Sequence, residues 1–254
     1  MSSPVIPPPQ AEPPAPALNE AQRLGNVFFS PTKTFADLRR SAKWIAPFVV
    51  MLLLSWVYGY VIEKRVGFDV VTQNNMRMAP ASQQRRIESL PPDQRAAEER
   101  QQVKITKYIT YGFPGLALVW WIIVALVLWG TFSFGAGAEI SFGRTLAVII
   151  YASLVGIVKP LMAIAVIFGQ DTADFLIQNP VGTNLGYYLN FADTPRFLYS
   201  LATGVDLIQL WVLALTAIGI SEVARVKRGT AFGLVFGWWI VVSLVGAGLA
   251  AAFA

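Results

Sequence analysis

The sequence predicts an all-α polytopic membrane protein, a bundle of five transmembrane helices preceded by a juxtamembrane amphipathic helix. Three observations predict it. Of 254 residues, 55% are apolar and only 14% charged, where soluble domains carry roughly 45–50% and about 25%. With a mean hydropathy of +0.52, most apolar side chains have no aqueous core large enough to hold them. The apolar residues also gather into five long segments, while the roughly ten-residue alternating strands of a membrane β-barrel are nowhere sustained.

Residues 1–22 carry Pro4, Pro7, Pro8, Pro9, Pro13, Pro14 and Pro16 and almost no large apolar side chains. They read as a disordered tail that cannot offset its ordering entropy. The first long apolar run begins only at Trp44, so no cleaved secretory signal is expected. Over residues 23–43, Ser30 suits an N-cap and Pro31 the first helical position. Phe35, Leu38, Ala42 and Ile45 then recur at helical spacing, with Lys33, Asp37, Arg39, Arg40 and Lys43 between them. That is the pattern of a helix lying at headgroup level.

The transmembrane domain takes residues 44–254. Its apolar segments are 44–62, 111–134, 145–168, 207–223 and 230–253, each near or above the roughly 18–20 residues that span a hydrocarbon core. The polar connection 63–110 reads as helical, with Ser82 to Leu90 and Asp93 to Lys107 separated by Pro91-Pro92. Residues 135–143 form a glycine-rich turn. Residues 169–206 form a longer loop with Asp171, Asp174, Asp193 and Asp206 against Arg196, and Arg225 to Arg228 a basic hinge. If the N-terminus is inside, nine bases lie on the inner side and ten on the outer, with Lys159 inside the third segment. The positive-inside rule is therefore tied.

Cysteine and histidine are both absent, which removes disulfides, thiol nucleophiles, Cys/His zinc sites and a histidine general base together. There is no Walker loop and no Gly-x-Ser-x-Gly elbow; Gly219-Ile220-Ser221 continues as Glu222-Val223. Asp206 and Glu222 lie at span ends, not on facing spans as an aspartyl protease requires. No catalytic, cofactor-binding or metal-binding residues are assigned, no enzyme activity or cofactor is expected, and the lipid bilayer rather than a nucleic acid is the surrounding partner.

Two features inside the spans stand out. Lys159, followed by Pro160, lies about 14 Å below the Phe168 end of the third segment. An intramembrane lysine is either a snorkelling structural residue or part of a cavity. Its nearest available partner is Asp206, so Lys159 and Asp206 form a candidate intramembrane polar pair. In the last segment, Gly233 and Gly237, continued by Gly246 and Ala250, have the small-residue spacing of a helix-packing seam. Either another helix of the same chain or a second copy could fill it.

Taken in order, several stretches resemble the Yip-one domain family, the Ypt/Rab-interacting membrane proteins, and especially their bacterial members. The first is Phe28-Phe29-Ser30-Pro31-Thr32-Lys33-Thr34-Phe35, leading through Trp44 and Pro47 into the first span. Ser141-Phe142, Leu146-Ala147-Val148 and Tyr151-Ala152-Ser153-Leu154 follow, then Val205 to Trp211, Ile218 to Ser221 and the basic hinge. The resemblance implies an all-α bundle in a bacterial inner membrane, with a cytoplasmic N-terminus and the C-terminus on the far side. The Asp-Leu-Tyr-Gly-Pro motif of eukaryotic members has no counterpart between Met1 and Lys43, so a small GTPase partner does not carry over. Two functions are left: a non-enzymatic membrane-organising or protein-interaction component, with itself or other membrane proteins as partners, or a small transport or channel component with a cavity near Lys159-Pro160.

Overall fold

A computed structural model describes residues 17–253 as helices and the turns between them, with no strand among the described residues. Asn19 starts α1 (Glu20–Phe29) with a reciprocal cap. Its side chain accepts from the Gln22 N–H at 2.8 Å, and the Gln22 side chain accepts from the Asn19 N–H at 3.0 Å. Ser30 interrupts the helix, and Pro31 opens α2 (Pro31–Leu38), where its missing N–H leaves no bond unmade. The two helices fold back on each other as a hairpin.

This corrects the reading of the N-terminal region twice. Most of the tail expected over residues 1–22 lies outside the described residues, but Glu20, Ala21 and Gln22 are helical because the Asn19–Gln22 cap satisfies first-turn donors. The single headgroup helix expected over 23–43 is instead this hairpin, and its apolar side faces protein: Val27, Phe35 and Leu38 are fully buried.

Next come α3 (Ile45–Val61), widened at Ile62–Val66 and stopped by Gly67 at φ +86°, α4 (Phe68–Arg77), α5 (Ala81–Glu88) and α6 (Pro92–Gly130). Asp93 to Lys107 is not a separate helix: α6 runs for 39 residues and continues through Pro114. At about 58 Å it outruns a hydrocarbon core, and its polar first part projects from the bilayer. The third span is α7 (Phe142–Ser153) and α8 (Val158–Gly169), joined by a tight turn at Leu154–Ile157. Pro160 has no N–H to offer the Gly156 carbonyl, and the chain tightens there instead of continuing a regular helix. Then follow α9 (Arg196–Gly204), which the loop reading did not anticipate, α10 (Leu207–Ala224) and α11 (Arg228–Ala252).

Five stretches are long and apolar enough to cross a membrane: Ile45–Val66, Pro92–Gly135, Phe142–Gly169, Leu207–Ala224 and Arg228–Ala252. The third and fourth bury 50% and 44% of their apolar windows in protein, the others 11–17%, so these two form the centre and the rest sheathe them. Every residue from Thr145 to Ser153 is buried, as befits a helix packed on all sides. Gly219 of α10 allows the closest approach between spans. A Cβ there would lie 2.5 Å from Val148 Cγ1 of α7 and 2.9 Å from Phe35 Cδ1 of α2. Without that Cβ, the hairpin, the third span and the fourth span meet at one point.

Candidate functional site

Asp206 is the N-cap of α10. Its Oδ1 accepts from the N–H groups of Ile208 and Gln209 at 2.9 and 3.1 Å. Oδ2 accepts from Lys159 Nζ at 2.8 Å and Thr183 Oγ1 at 2.7 Å. The Leu207 N–H donates to the Thr183 carbonyl at 2.8 Å, and Asn184 and Asp206 form a single antiparallel bridge. The Asp206 side chain is 7% exposed and that of Lys159 30%. Burial alone would raise the Asp206 carboxyl; the hydrogen bonds from Lys159, Thr183 and the Gln209 N–H outweigh it and hold the group below the usual carboxylate range.

The geometry of this meeting differs from a lysine reaching outward. Lys159 is the second residue of α8, about 15 Å along the axis from Gly169, and a lysine stem covers only a fraction of that. Asp206 comes to it, because residues 170–206 dip back into the bundle. α9 lies against α11, and a Cβ on Gly204 would sit 3.8 Å from Ser243 Oγ, roughly 14 Å before the end of α11. Irregular backbone at such depth persists only where its polar groups are satisfied inside protein. Asp206 and Thr183 supply that satisfaction. Gly186 completes the turn, since a Cβ would fall 2.9 Å from the Thr203 backbone nitrogen.

A second buried network fixes the hairpin. Arg23 donates from Nε and Nη2 to Asp37 Oδ2 at 2.7 and 2.6 Å and from Nη1 to Glu20 at 3.1 Å. Glu20 Oε2 accepts from the Tyr151 hydroxyl of α7 at 2.9 Å, and Thr34 Oγ1 donates to the Arg23 carbonyl at 3.2 Å. The sequence reading left Asp37 on a solvated face. Helical spacing gave no signal for it, since Asp37 lies about 200° round the helix from Phe35 and outside the apolar arc. Arg23, Asp37 and Asp206 are the buried charged residues among those described, and each is ion-paired.

The small-residue seam makes no close contact within the chain, which corrects the intrachain packing reading. A Cβ on Gly233, Gly237 or Gly246 would meet nothing within 4 Å, and Ala250 is exposed. α11 turns Ala231, Val235 and Ala247 inward; Gly233 and Gly237 follow two of these by two residues, about 200° round the helix. The close-approach glycine is Gly219, which sequence spacing did not single out for packing.

Two open cavities, of about 580 and about 600 Å³, lie at opposite ends of the bundle. The first borders the re-entrant connection through Asn179, Gly186 and Tyr187; the second borders the basic hinge. Fold and site together define an all-helical multi-pass membrane protein whose buried charges tie its helices to one another. A family model described as Yip1 domain matches residues 25–250, and the chain belongs to the Yip1 domain family. No curated protein and no solved structure matches it.

Proposed function

We propose that the protein is a non-enzymatic membrane-organising or protein-interaction component of the Yip type. In this reading it is a bacterial-type member in the inner membrane, with the hairpin on the cytoplasmic side. The observation that carries the reading is the use of the buried charges. Arg23–Asp37 locks the hairpin, and Lys159–Asp206 locks the re-entrant connection. Catalysis needs groups poised to exchange protons or bonds, whereas these are held in fixed pairs, with Asp206 accepting four hydrogen bonds. A rigidly held hairpin whose tip presents Phe29 at 89% exposure is an element suited to contact a partner. Other membrane proteins or a second copy are the partners proposed; no small GTPase is assigned.

A photo-crosslinking residue at Phe29 or Lys33 should give discrete protein adducts in native membranes, and these should disappear when Arg23→Met releases the hairpin. Adducts to lipid alone would overturn the reading. One observation favours a second reading, a transport component: a re-entrant segment meets a partly exposed lysine inside the bundle. Ion or solute flux in proteoliposomes that vanishes in Lys159→Met would establish that reading instead.

A further inference from the structure

We propose that the cavity at the hairpin end of the bundle binds the phosphate of an anionic phospholipid headgroup. This cavity, of about 600 Å³, is lined by Arg39, Arg144 and Arg225 together with the turn at Ala136 to Glu139 and the end of α10. Each arginine comes from a different element. Arg39 is the C-cap of α2, Arg144 lies in the first turn of α7 and Arg225 follows the last residue of α10.

Two of the three stand where local preference opposes them. Arg225 has φ +54°, the one non-glycine residue with positive φ among those described. The left-handed cap it adopts is ordinarily given to glycine, because a Cβ crowds the carbonyl there. Arg144 puts a cation at the positive end of a helix dipole. Neither side chain forms an ion pair or hydrogen bond with protein among the described residues, and Arg39 donates only its Nε, to the Ala36 carbonyl at 3.3 Å. Glu139 borders the same cavity, yet no ion pair links it to any of the three.

Three guanidinium groups around one cavity repel each other unless an anion sits between them. Each offers a planar fork that matches two phosphate oxygens. The N-terminus of α7 adds a favourable dipole for the same anion that its own Arg144 would attract.

Position selects the source of the phosphate. Val223 and Ala224 close the fourth span, Arg144 opens the third and Ala136 follows the end of the second, so the cavity lies where lipid headgroups lie. Basic pockets between transmembrane helices at that level receive phosphate headgroups. The volume also falls in the range of sites for whole small molecules and exceeds what a bare phosphate fills. Lys43, Lys227 and Arg228 lie at the same end of the bundle and add to its attraction for anionic lipid.

The test uses the full chain in neutral detergent, with thermal unfolding followed against added phosphatidylglycerol, phosphatidylcholine of the same acyl chains, or inorganic phosphate. Phosphatidylglycerol should raise the unfolding temperature of the natural chain at concentrations where the other two do not. Arg144→Gln should bind it roughly tenfold to a hundredfold more weakly, the loss of a charge-assisted contact. Arg225→Gly removes a cation and also relieves the left-handed strain, so its unfolding temperature without lipid should hold or rise while the lipid response falls. That separates a lost ligand from a damaged fold. Arg85→Gln, at the other end of the bundle, should leave the response intact. An unchanged response in both Arg144→Gln and Arg225→Gly overturns the site, as does an equal response to phosphatidylcholine. An equal response to inorganic phosphate overturns the lipid assignment in favour of a soluble anion.

Discussion

Replacing Lys159 with Met leaves Asp206 with three of its four donors, Thr183 and the N–H groups of Ile208 and Gln209, and with no positive charge beside it. Breaking a buried ion pair costs about 3–5 kcal/mol, and an exposed one about 0–1 kcal/mol. With Asp206 7% and Lys159 30% exposed, the cost for Lys159→Met falls between these, at about 2 kcal/mol. Asp206→Asn keeps a good N-cap, since Asn and Asp cap alike. It does, however, present an amide that must either turn its N–H groups toward two donors or surrender the cap. Lys159 can then swing toward its exposed side, so about 1 kcal/mol is expected. The double variant removes both charges and should cost little more than the larger single loss, giving a coupling of about 1 kcal/mol. Reversible unfolding in mild detergent, followed by tryptophan fluorescence, measures all four proteins. Additivity within about 0.3 kcal/mol would refute the pairing. The pH dependence has a definite sign. The folded-state carboxyl is held below its ordinary value, so its contribution is complete above the unfolded value near about pH 4 and fades as pH falls toward the folded value. Asp206→Asn should lack that acid-side loss.

Gly219→Ala places a methyl 2.5 Å from Val148 Cγ1 and should destabilise by about 1–3 kcal/mol through overpacking. Gly233→Ala and Gly237→Ala enter open space and should leave the monomer's unfolding midpoint unchanged or slightly raised, while a fall in any dimeric fraction on size-exclusion chromatography would assign that stripe to a contact between copies. Arg23→Met strands Asp37, whose side chain is 5% exposed, and should cost about 3 kcal/mol, seen as faster hydrogen exchange over residues 18–38 than over α7; equal protection in both would mean the hairpin is held by apolar contacts alone. A reporter after Ala254 and one near Gln83 should both behave as translocated, and cytosolic behaviour of both would reverse the orientation.

The spans were legible because lipid leaves no doubt about a long apolar run: a charge there costs too much to be common. What a span touches was not legible. Lipid tails are as apolar as leucine, so nothing in composition separates α7, packed on all sides, from α11, mostly facing outward. The same ambiguity hid which glycines are close-packed. Gly233 and Gly237 have the familiar spacing but face away, whereas Gly219 has no partner glycine and carries the tightest approach between spans. The hairpin's depth was hidden for a different reason. Arg23 and Asp37 each read as solvent-facing alone, and only the fold shows them neutralising each other. Lys159 and Asp206 could be named from the sequence as the available opposite charges. The way they meet could not, because it depends on residues 170–206 re-entering, and α9 contributes only a few apolar side chains, Phe197, Leu198 and Leu201, as a hint.

Counting bases alone leaves orientation tied, but counting the acids beside them separates the two ends of the bundle. At the end of the bundle away from the hairpin, acids sit among the bases and several are paired: Lys107 with Glu63 at 2.7 Å, Arg86 with Glu98 at 3.1 Å and Arg77 with Asp174 at 3.2 Å. At the hairpin end, Arg40 apart, eight bases face four acids among the described residues, Glu20, Asp37, Glu139 and Glu222. Glu20 and Asp37 are taken by Arg23, and Glu222 by Arg228 at 3.6 Å. The surplus therefore gathers at one bilayer surface, where each cation near an anionic leaflet contributes about 1 kcal/mol of attraction. An excess of that kind is costly in isolation, through self-repulsion, and favourable against anionic headgroups. The three arginines around the hinge cavity mark where that repulsion is sharpest, and hence where a headgroup phosphate stabilises the fold most.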